Sequence, residues 1–289
     1  MNNIKYFRFI IILCLTGICF FGRERIWEST GRILSPHAGA QDEEDFGDSG
    51  ETGEESEEPK GESGTGEEML PDMVEEEEIP VQEESPLRWE YTSVEEDYFD
   101  DALFIGDSRT VGLMEYGGLE EHATFYASTG LTVYRLFSAQ VVPVEGSIEN
   151  ISIEEALAEK QFSKIYLMVG INEMGTGTVE SFVAAYEEVI AHLQELQPNA
   201  IIYIQAIMRV SAERSAKGDY IYNEGIDARN EGLSLLADNQ KIFYLDVNPI
   251  ISDEDGGLIQ DYTFDGVHLK AKYIVIWKEF LLEHAVRFY

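Results

Sequence analysis

Three residues of this sequence have side chains that could serve as a nucleophile, its base and the group that orients the base: Ser108, His268 and Asp265. Serine is a weak nucleophile near neutral pH and needs a base that removes its proton as it attacks. Histidine suits this role because its unperturbed pKa is about 6.5. Asp265 stands three residues before His268, so a turn can bring its carboxylate to the second ring nitrogen and fix the tautomer. The residue types predict chemistry at an acyl carbon, provided that the fold brings positions 108 and 268 together.

Position along the chain distinguishes His268 from the other four histidines. His37 precedes an acidic stretch, His122 begins a predicted strand, and His192 and His284 lie within or near the end of predicted helices. His268 alone falls in a loop at the edge where a ligand is expected to bind, so it is the predicted base.

Five short apolar runs, rich in Ile, Val, Tyr and Phe, predict strands that are covered on both faces. These strands are Ala102–Ile105, Ala123–Ala127, Lys164–Val169, Ile201–Ile207 and Ile242–Val247. Helices are predicted at Val179–Leu196, Asn223–Ala237 and Leu269–Val286. The alternation predicts an α/β fold with right-handed crossovers, in which a five-stranded parallel sheet lies inside a three-layer α/β/α sandwich. Ligands of such sheets bind beyond the carboxyl ends of the strands.

Small and polar residues follow the predicted strands at that edge. Phe104–Ser108 reads FIGDS and resembles the GDS block of the SGNH (GDSL-type) hydrolases. Gly170–Asn172 is similar to the G-x-N block of that family, and Asp265–His268 is similar to its D-x-x-H block. The three blocks occur in the family's order and span most of the predicted folded region. The resemblance therefore implies a flavodoxin-like sandwich with serine esterase or acyl-transfer activity.

The resemblance also implies roles for individual residues, with Ser108, His268 and Asp265 as the catalytic set. Negative charge that develops on the attacked carbonyl needs hydrogen-bond donors already in place. The donors implied here are the backbone N–H groups of Ser108 and Gly130 and the side-chain amide of Asn172. No metal and no other cofactor is expected for this mechanism. The sequence departs from the family pattern directly after Asn172, because Glu173 stands where the family has Asp; we expect an effect on loop packing more than on catalysis.

Each block also has a plainer interpretation. Residues 106–108 could be an ordinary turn from strand to helix, with Asp107 or Ser108 as the N-cap. Asp265 and Gly266 could form a simple turn with His268 as a capping residue, and Asn172 could merely satisfy loop backbone groups. Three such coincidences in the family's order are far less probable than one, which favours the catalytic interpretation. Asp107 is expected to stabilise the turn, and Arg109 is expected to form a surface salt bridge in preference to meeting an anionic substrate.

The N-terminal residues 1–40 predict a signal or membrane-anchor segment. Phe9–Gly22 is uninterrupted and apolar, with basic residues on both sides. A retained anchor is favoured over a cleaved signal, because the small residues Ala38–Ala40 lie unusually far beyond the apolar core. Both cysteines of the chain, Cys14 and Cys19, lie in this segment, and a thiol-free remainder suits an oxidising compartment. The expected location is the cell membrane with the C-terminal domain outside, or secretion if the signal is cleaved.

Charge is concentrated in residues 41–87, which carry about twenty of the 56 acidic residues. Such a stretch cannot bury enough apolar surface to fold, so a disordered linker is predicted, followed by a hydrolase domain at 88–289. The formal net charge of the whole chain is -36. This charge argues against a nucleic-acid partner, because no basic surface is present to displace counterions from phosphates.

The residues and the expected location together predict an exported serine esterase that hydrolyses small acyl esters, such as acetyl esters, through an acyl-serine intermediate. The expected substrate is an acylated glycan of the cell envelope or of the extracellular space. Two alternatives stay open: an O-acyltransferase that uses the same three residues, and a non-catalytic SGNH-like binding module. Contact with the membrane is expected through the N-terminal segment only.

Overall fold

The computed structural model describes residues 88–289, and the predicted N-terminal segment and acidic linker lie outside the described residues. The strands are β1 Trp89–Thr92, β2 Ala102–Gly106, β3 Ala123–Ala127, β4 Gln140–Val142, β5 Ile151–Ser152, β6 Lys164–Met168, β7 Ile201–Gln205, β8 Ile242–Leu245 and β9 Ala285–Phe288. The α-helices are α1 Ser108–Tyr116, α2 Ile153–Glu159, α3 Val179–Leu196, α4 Ala212–Ser215, α5 Asn223–Ser234, α6 Asn248–Ile251 and α7 Ile274–Glu283. Short 3-10 helices lie at Glu96–Phe99, Val133–Arg135, Ile171–Glu173, Gln260–Tyr262 and Ala271–Tyr273.

The predicted five-stranded parallel sheet is present, in the order β3-β2-β6-β7-β8. Successive strand residues point to opposite faces, and both faces are buried. In β2, Leu103 and Ile105 join a core with residues of α3 and α5. Phe104, between them, joins a second core with residues of α1 and α7. Helices therefore cover both sides of the sheet, which confirms the three-layer sandwich.

An aromatic ladder crosses the sheet on the face that packs against α1 and α7. Each strand contributes one ring, and the rings are register partners of one another: Phe125, Phe104, Tyr166, Tyr203 and Phe243. Successive centroids lie 5.0, 4.6, 4.4 and 6.1 Å apart. Aromatic pairs in this range stabilise beyond the area that they bury. The ladder therefore fixes the alignment of the five strands, and with it the relative positions of their carboxyl ends.

The predicted last helix, Leu269–Val286, was too long. A 3-10 turn comes first, helix α7 covers Ile274–Glu283, and β9 follows at Ala285–Phe288. Strand β9 pairs antiparallel with β1, so the beginning and the end of the described region are joined. The apolar run continues through this change, and the pairing partner lies almost 200 residues away. Local periodicity therefore could not separate the helix from the strand.

Two smaller features complete the elements. Strands β4 and β5 form a second antiparallel pair. The predicted helix Asn223–Ala237 ends at Ser234, and the fourth and fifth predicted strands end two residues early, at Gln205 and Leu245. Within residues 88–289, no helix has the length and apolar character needed to cross a bilayer.

Candidate active site

The turn after β2 places Ser108 at the start of helix α1. A Cβ atom on Gly106 would lie 2.0 Å from Thr110 Oγ1 and 2.6 Å from the backbone oxygen of Met168, so only glycine fits. Asp107 is the N-cap of α1, and its side chain accepts a hydrogen bond of 2.9 Å from the Arg109 N–H. The N-cap alternative thus holds for Asp107. Ser108 is the first helical residue, and its hydroxyl does not cap the helix because Asp107 does so.

The loop before α7 positions His268. The Oδ1 atom of Asp265 accepts hydrogen bonds from the backbone N–H groups of Val267 at 2.8 Å and His268 at 2.9 Å. Gly266 has φ +83°, and a Cβ atom there would lie 2.6 Å from Arg214 Cβ. The Gly266 carbonyl also accepts the Ser211 N–H at 2.8 Å. This loop is therefore both internally bonded and packed against helix α4.

Ser108, His268 and Asp265 form one hydrogen-bonded chain. His268 Nδ1 lies 2.7 Å from Asp265 Oδ2, and His268 Nε2 lies 2.8 Å from Ser108 Oγ. An ionised carboxylate only accepts, so Nδ1 carries the proton. In the neutral imidazole, Nε2 is then the acceptor for the Ser108 O–H. This is the arrangement in which the imidazole can remove the hydroxyl proton.

The environment of Asp265 keeps its carboxyl group ionised. Partial burial raises the pKa of this group. Hydrogen bonds from the His268 backbone N–H, the His268 ring and the Val267 N–H together lower the pKa by more than burial raises it. The pKa of Asp265 therefore lies well below its usual range. A carboxylate that stays charged can stabilise the imidazolium that forms when His268 takes a proton.

Arg109 is a site residue that the sequence did not reveal. The expected surface salt bridge is wrong, because Arg109 is only 4% exposed. Its Nε atom donates to the Val267 carbonyl at 3.2 Å, and its Nη2 atom has no hydrogen-bond partner among residues 88–289. Burial lowers the pKa of Arg109, while the carboxylates of Asp107 and Asp265 raise it. The guanidinium thus ties the nucleophile helix to the loop that carries His268.

The loops that carry Gly130 and Asn172 meet at the same edge of the sheet. The Ser128 N–H donates to the Gly106 carbonyl at 3.1 Å, beside the nucleophile turn. Gly130 follows with φ +80° and is exposed. The Asn172 amide donates to the Leu131 carbonyl at 3.0 Å. The predicted oxyanion donors are therefore on loops that contact each other, and Asn172 also satisfies a loop backbone group, as its plainer interpretation expected.

The turn that carries Asn172 depends on a second glycine with no room for a side chain. Gly170 has φ +143°, and a Cβ atom there would lie 2.3 Å from Ile207 Cδ1. Glu173 closes the turn and is completely buried. Its role in loop packing was expected, but its full burial was not visible in the sequence.

A small pocket of about 230 Å³ lies beside Ser108 and His268. Its remaining walls are largely apolar and come from α1, the segment after β7, the loop that carries His268, and α7. The lining residues are Ser108, Arg109, Gly112, Met208, His268, Leu269, Ile274 and Trp277. Among residues 88–289, no group of three or more His, Cys, Asp or Glu side chains is placed to hold a metal ion.

Comparisons with known proteins identify the family of the chain. The model of the GDSL-like Lipase/Acylhydrolase family matches residues 104–272, a range that includes Ser108, Asn172, Asp265 and His268. A search of curated proteins finds no match.

Solved structures are similar to this chain. A protein from Streptococcus pneumonia, described as a platelet activating factor, is similar with a TM-score of 0.50 and 24% identity, over 63% of this chain and 82% of its own. A GDSL-like lipase from Bacteroides thetaiotaomicron is similar with a TM-score of 0.47 and 16% identity, over 65% of this chain and 87% of its own. Because the family model covers more than half of the sequence, the chain belongs to the GDSL-like lipase/acylhydrolase family and is a hydrolase of ester bonds.

Proposed function

We propose that this protein is an exported serine esterase that removes small acyl groups, such as acetyl, from carbohydrate of the cell envelope or the extracellular space. The observation that carries the proposal is the chain of hydrogen bonds from Ser108 Oγ through the His268 ring to Asp265. Family membership supports hydrolysis of an ester, and this chain supplies a nucleophile, a base and the group that orients the base.

The reaction proceeds in two halves. His268 Nε2 takes the proton of the Ser108 hydroxyl while Oγ forms a bond to the carbonyl carbon of the ester. The oxyanion accepts hydrogen bonds from the Ser108 and Gly130 N–H groups and the Asn172 amide. Collapse of this intermediate breaks the bond to the alcohol oxygen, which takes the proton from His268. Water then attacks the acyl carbon while His268 takes its proton. The bond from that carbon to Ser108 Oγ breaks, Oγ takes the proton back from His268, and the carboxylic acid leaves.

Two features support a small acyl group and water as the acceptor. The pocket beside Ser108 is small, and its walls are mostly apolar. The side chains of His268 and Asp265 are 44% and 52% exposed, so water reaches the position of the acyl-serine. An acyltransferase needs water to be excluded at this step, which makes the esterase the better supported of the two.

The location rests on the sequence. The apolar segment Phe9–Gly22 with basic flanks supports export, and the lack of cysteine after Cys19 is compatible with an oxidising compartment. Carbohydrate is proposed as the substrate because the expected location of the domain is the cell envelope or the extracellular space.

The nucleophile is tested with a fluorophosphonate probe and with p-nitrophenyl acetate. We expect the wild-type protein to be labelled and to hydrolyse the ester, and Ser108→Ala to do neither. His268→Ala should lower hydrolysis by about 10²–10⁴-fold while the far-UV circular dichroism is unchanged. A wild-type protein that is not labelled under native conditions would indicate the binding module instead.

The substrate class is tested with p-nitrophenyl esters of increasing chain length and with O-acetylated oligosaccharides. We expect kcat/KM to fall from acetate to octanoate, and free acetate to be the product from the oligosaccharide. Transfer of the acetyl group to an added sugar hydroxyl, in place of release as acetate, would replace the esterase with the acyltransferase.

A further inference from the structure

Two consecutive residues hold the backbone that directly follows Gly130. Asn172 donates from its side-chain amide to the Leu131 carbonyl, and Glu173 accepts from the Val133 N–H with its Oε1 atom. In both hydrogen bonds the partner lies about forty residues earlier in the chain. The two partners, the Leu131 carbonyl and the Val133 N–H, are two residues apart. The Asn172 turn and the Gly130 loop are therefore fixed to each other by side chains from a single short 3-10 helix.

Glu173 is an unusual residue to find in this place. It is 0% exposed, and its Oε2 atom has no hydrogen-bond partner among residues 88–289. Burying a carboxyl group is costly unless it is paired and hydrogen-bonded. A residue that serves only to fill space would be apolar here. The groups that favour its charged form are the Val133 N–H, its own backbone N–H and the positive charge of Arg229.

We propose that Glu173 is a positioning residue for the oxyanion site, whose carboxyl group holds the backbone at Val133 and thereby sets the Gly130 N–H and the Asn172 amide beside Ser108. This inference rests on the proposed esterase function, and it assigns a task to Glu173, the residue directly after the G-x-N block, where the sequence departs from the family pattern. Glu173 does not touch the reacting atoms and acts through the two donors.

The groups around Glu173 make its charge sensitive to pH. Burial and the charge of Asp107 raise the pKa of Glu173, whereas the Val133 N–H, its own backbone N–H and Arg229 lower it, and together they place it at about 7. The charge of Glu173 also raises the pKa of the buried Tyr186 hydroxyl, in addition to the larger effect of burial. A carboxylate accepts an N–H more strongly than a neutral carboxylic acid does. The hydrogen bond from the Val133 N–H to Glu173 should therefore become stronger as the pH rises through about 7.

The first variant is Glu173→Ala in the full chain, assayed with p-nitrophenyl acetate. We expect kcat to fall by about 10²-fold with little change in KM, because oxyanion donors act mainly in the transition state. Gln197→Ala is the matched control. Gln197 is also buried and also accepts a backbone N–H from a segment distant in sequence, that of Phe162 at 2.8 Å. It should lose stability and keep kcat within about threefold of wild type.

Glu173→Gln separates positioning from general packing, and it decides the question if Glu173→Ala does not fold. The glutamine carbonyl can still accept the Val133 N–H but cannot ionise. The ratio of its kcat to that of wild type should be near one at about pH 6 and should fall several-fold by about pH 8.5.

Two results would overturn the inference: a folded Glu173→Ala variant with kcat within about threefold of wild type, or a Glu173→Gln ratio that does not change with pH. Both results are interpreted only if the wild-type protein is active and Ser108→Ala is inactive. Under that condition they overturn this inference and leave the esterase proposal standing. An inactive wild-type protein would instead remove the esterase proposal and this inference with it.

Discussion

Both carboxylate oxygens of Asp265 accept hydrogen bonds, so replacing one oxygen with an NH₂ group, as in Asp265→Asn, should disturb the whole loop. Its two oxygens accept from the His268 ring and from two backbone N–H groups. In Asp265→Asn the new NH₂ group must face one of these donors, and the imidazole loses the group that fixes its tautomer. We expect kcat for p-nitrophenyl acetate to fall by about 10²–10⁴-fold.

Asp253→Asn is the control for this change. Asp253 also accepts two backbone N–H groups of its own turn, those of Asp255 and Gly257, but that turn lies outside the catalytic loop. Its variant should keep wild-type kcat. Equal activity in both variants would show that Asp265 does not orient the base.

Glu173 should also leave a signature in the pH dependence of stability. Its pKa is raised from an ordinary value of 4.5 to about 7 in the folded protein. Between these values the folded state holds a proton that the unfolded chain has released, so stability falls as the pH rises. Glu173→Gln lacks this loss. Its free energy of unfolding relative to wild type should rise by roughly 3 kcal/mol from about pH 4.5 to pH 7.5, at about 1.4 kcal/mol per pKa unit.

Urea denaturation of both proteins across this pH range measures the difference. Gln197→Ala, which adds and removes no titrating group, should keep a constant offset from wild type. If the Glu173→Gln offset were constant as well, the carboxyl group would not titrate with a raised pKa in the folded protein.

The sequence predicted the residues of the hydrogen-bonded chain and missed those that support them. Ser108, Asp265 and His268 were found because three short blocks occur in the family's order, and the fold brings them within hydrogen-bond distance. The roles of Gly130 and Asn172 as donors stay predictions. Arg109 and Glu173 looked like ordinary charged residues, because their burial depends on loops that meet only in the folded chain.

The aromatic ladder makes a prediction about the sheet. Tyr166 lies in the middle, 4.6 Å from the Phe104 ring and 4.4 Å from the Tyr203 ring, and it is fully buried. Tyr166→Ala removes both stacked contacts and leaves a cavity. We expect a loss of about 3–5 kcal/mol in the free energy of unfolding. Tyr166→Phe keeps the ring and should stay within about 1.5 kcal/mol of wild type. A loss below about 1 kcal/mol in Tyr166→Ala would show that the ladder does not hold the strands together.

The elements that the sequence predicted well are those with a strong local pattern. Five apolar runs gave the five central strands, and α3 matches its predicted bounds at both ends. Helix α2 was missed although a local signal was present: Ser152 and Glu155 form a capping box at its start. The pairing of β1 with β9 had no local signal, because register between strands so far apart is set only in the folded chain.

At the scale of the whole molecule, chemistry and location depend on different parts of the chain. The predicted catalytic residues and oxyanion donors lie between Ser108 and His268, whereas the prediction of export depends mainly on residues 1–40. Variants in one part should therefore leave the other property unchanged. This independence makes the location testable without loss of the enzymatic readout.

We expect the full chain, carrying a C-terminal epitope tag, to sediment with the membrane and to be digested by protease added outside intact cells. Ile11→Arg combined with Leu13→Arg should abolish this, because each arginine costs about 2.5–3.5 kcal/mol at the centre of an inserting apolar segment. The double variant should stay inside the cell, resist the protease and still react with the fluorophosphonate probe after lysis. Lys60→Arg, in the acidic stretch, is the control and should behave as wild type. A wild-type epitope that is protected from external protease and released only on lysis would place the esterase inside the cell, and acylated glycans of the envelope could then no longer be its substrate.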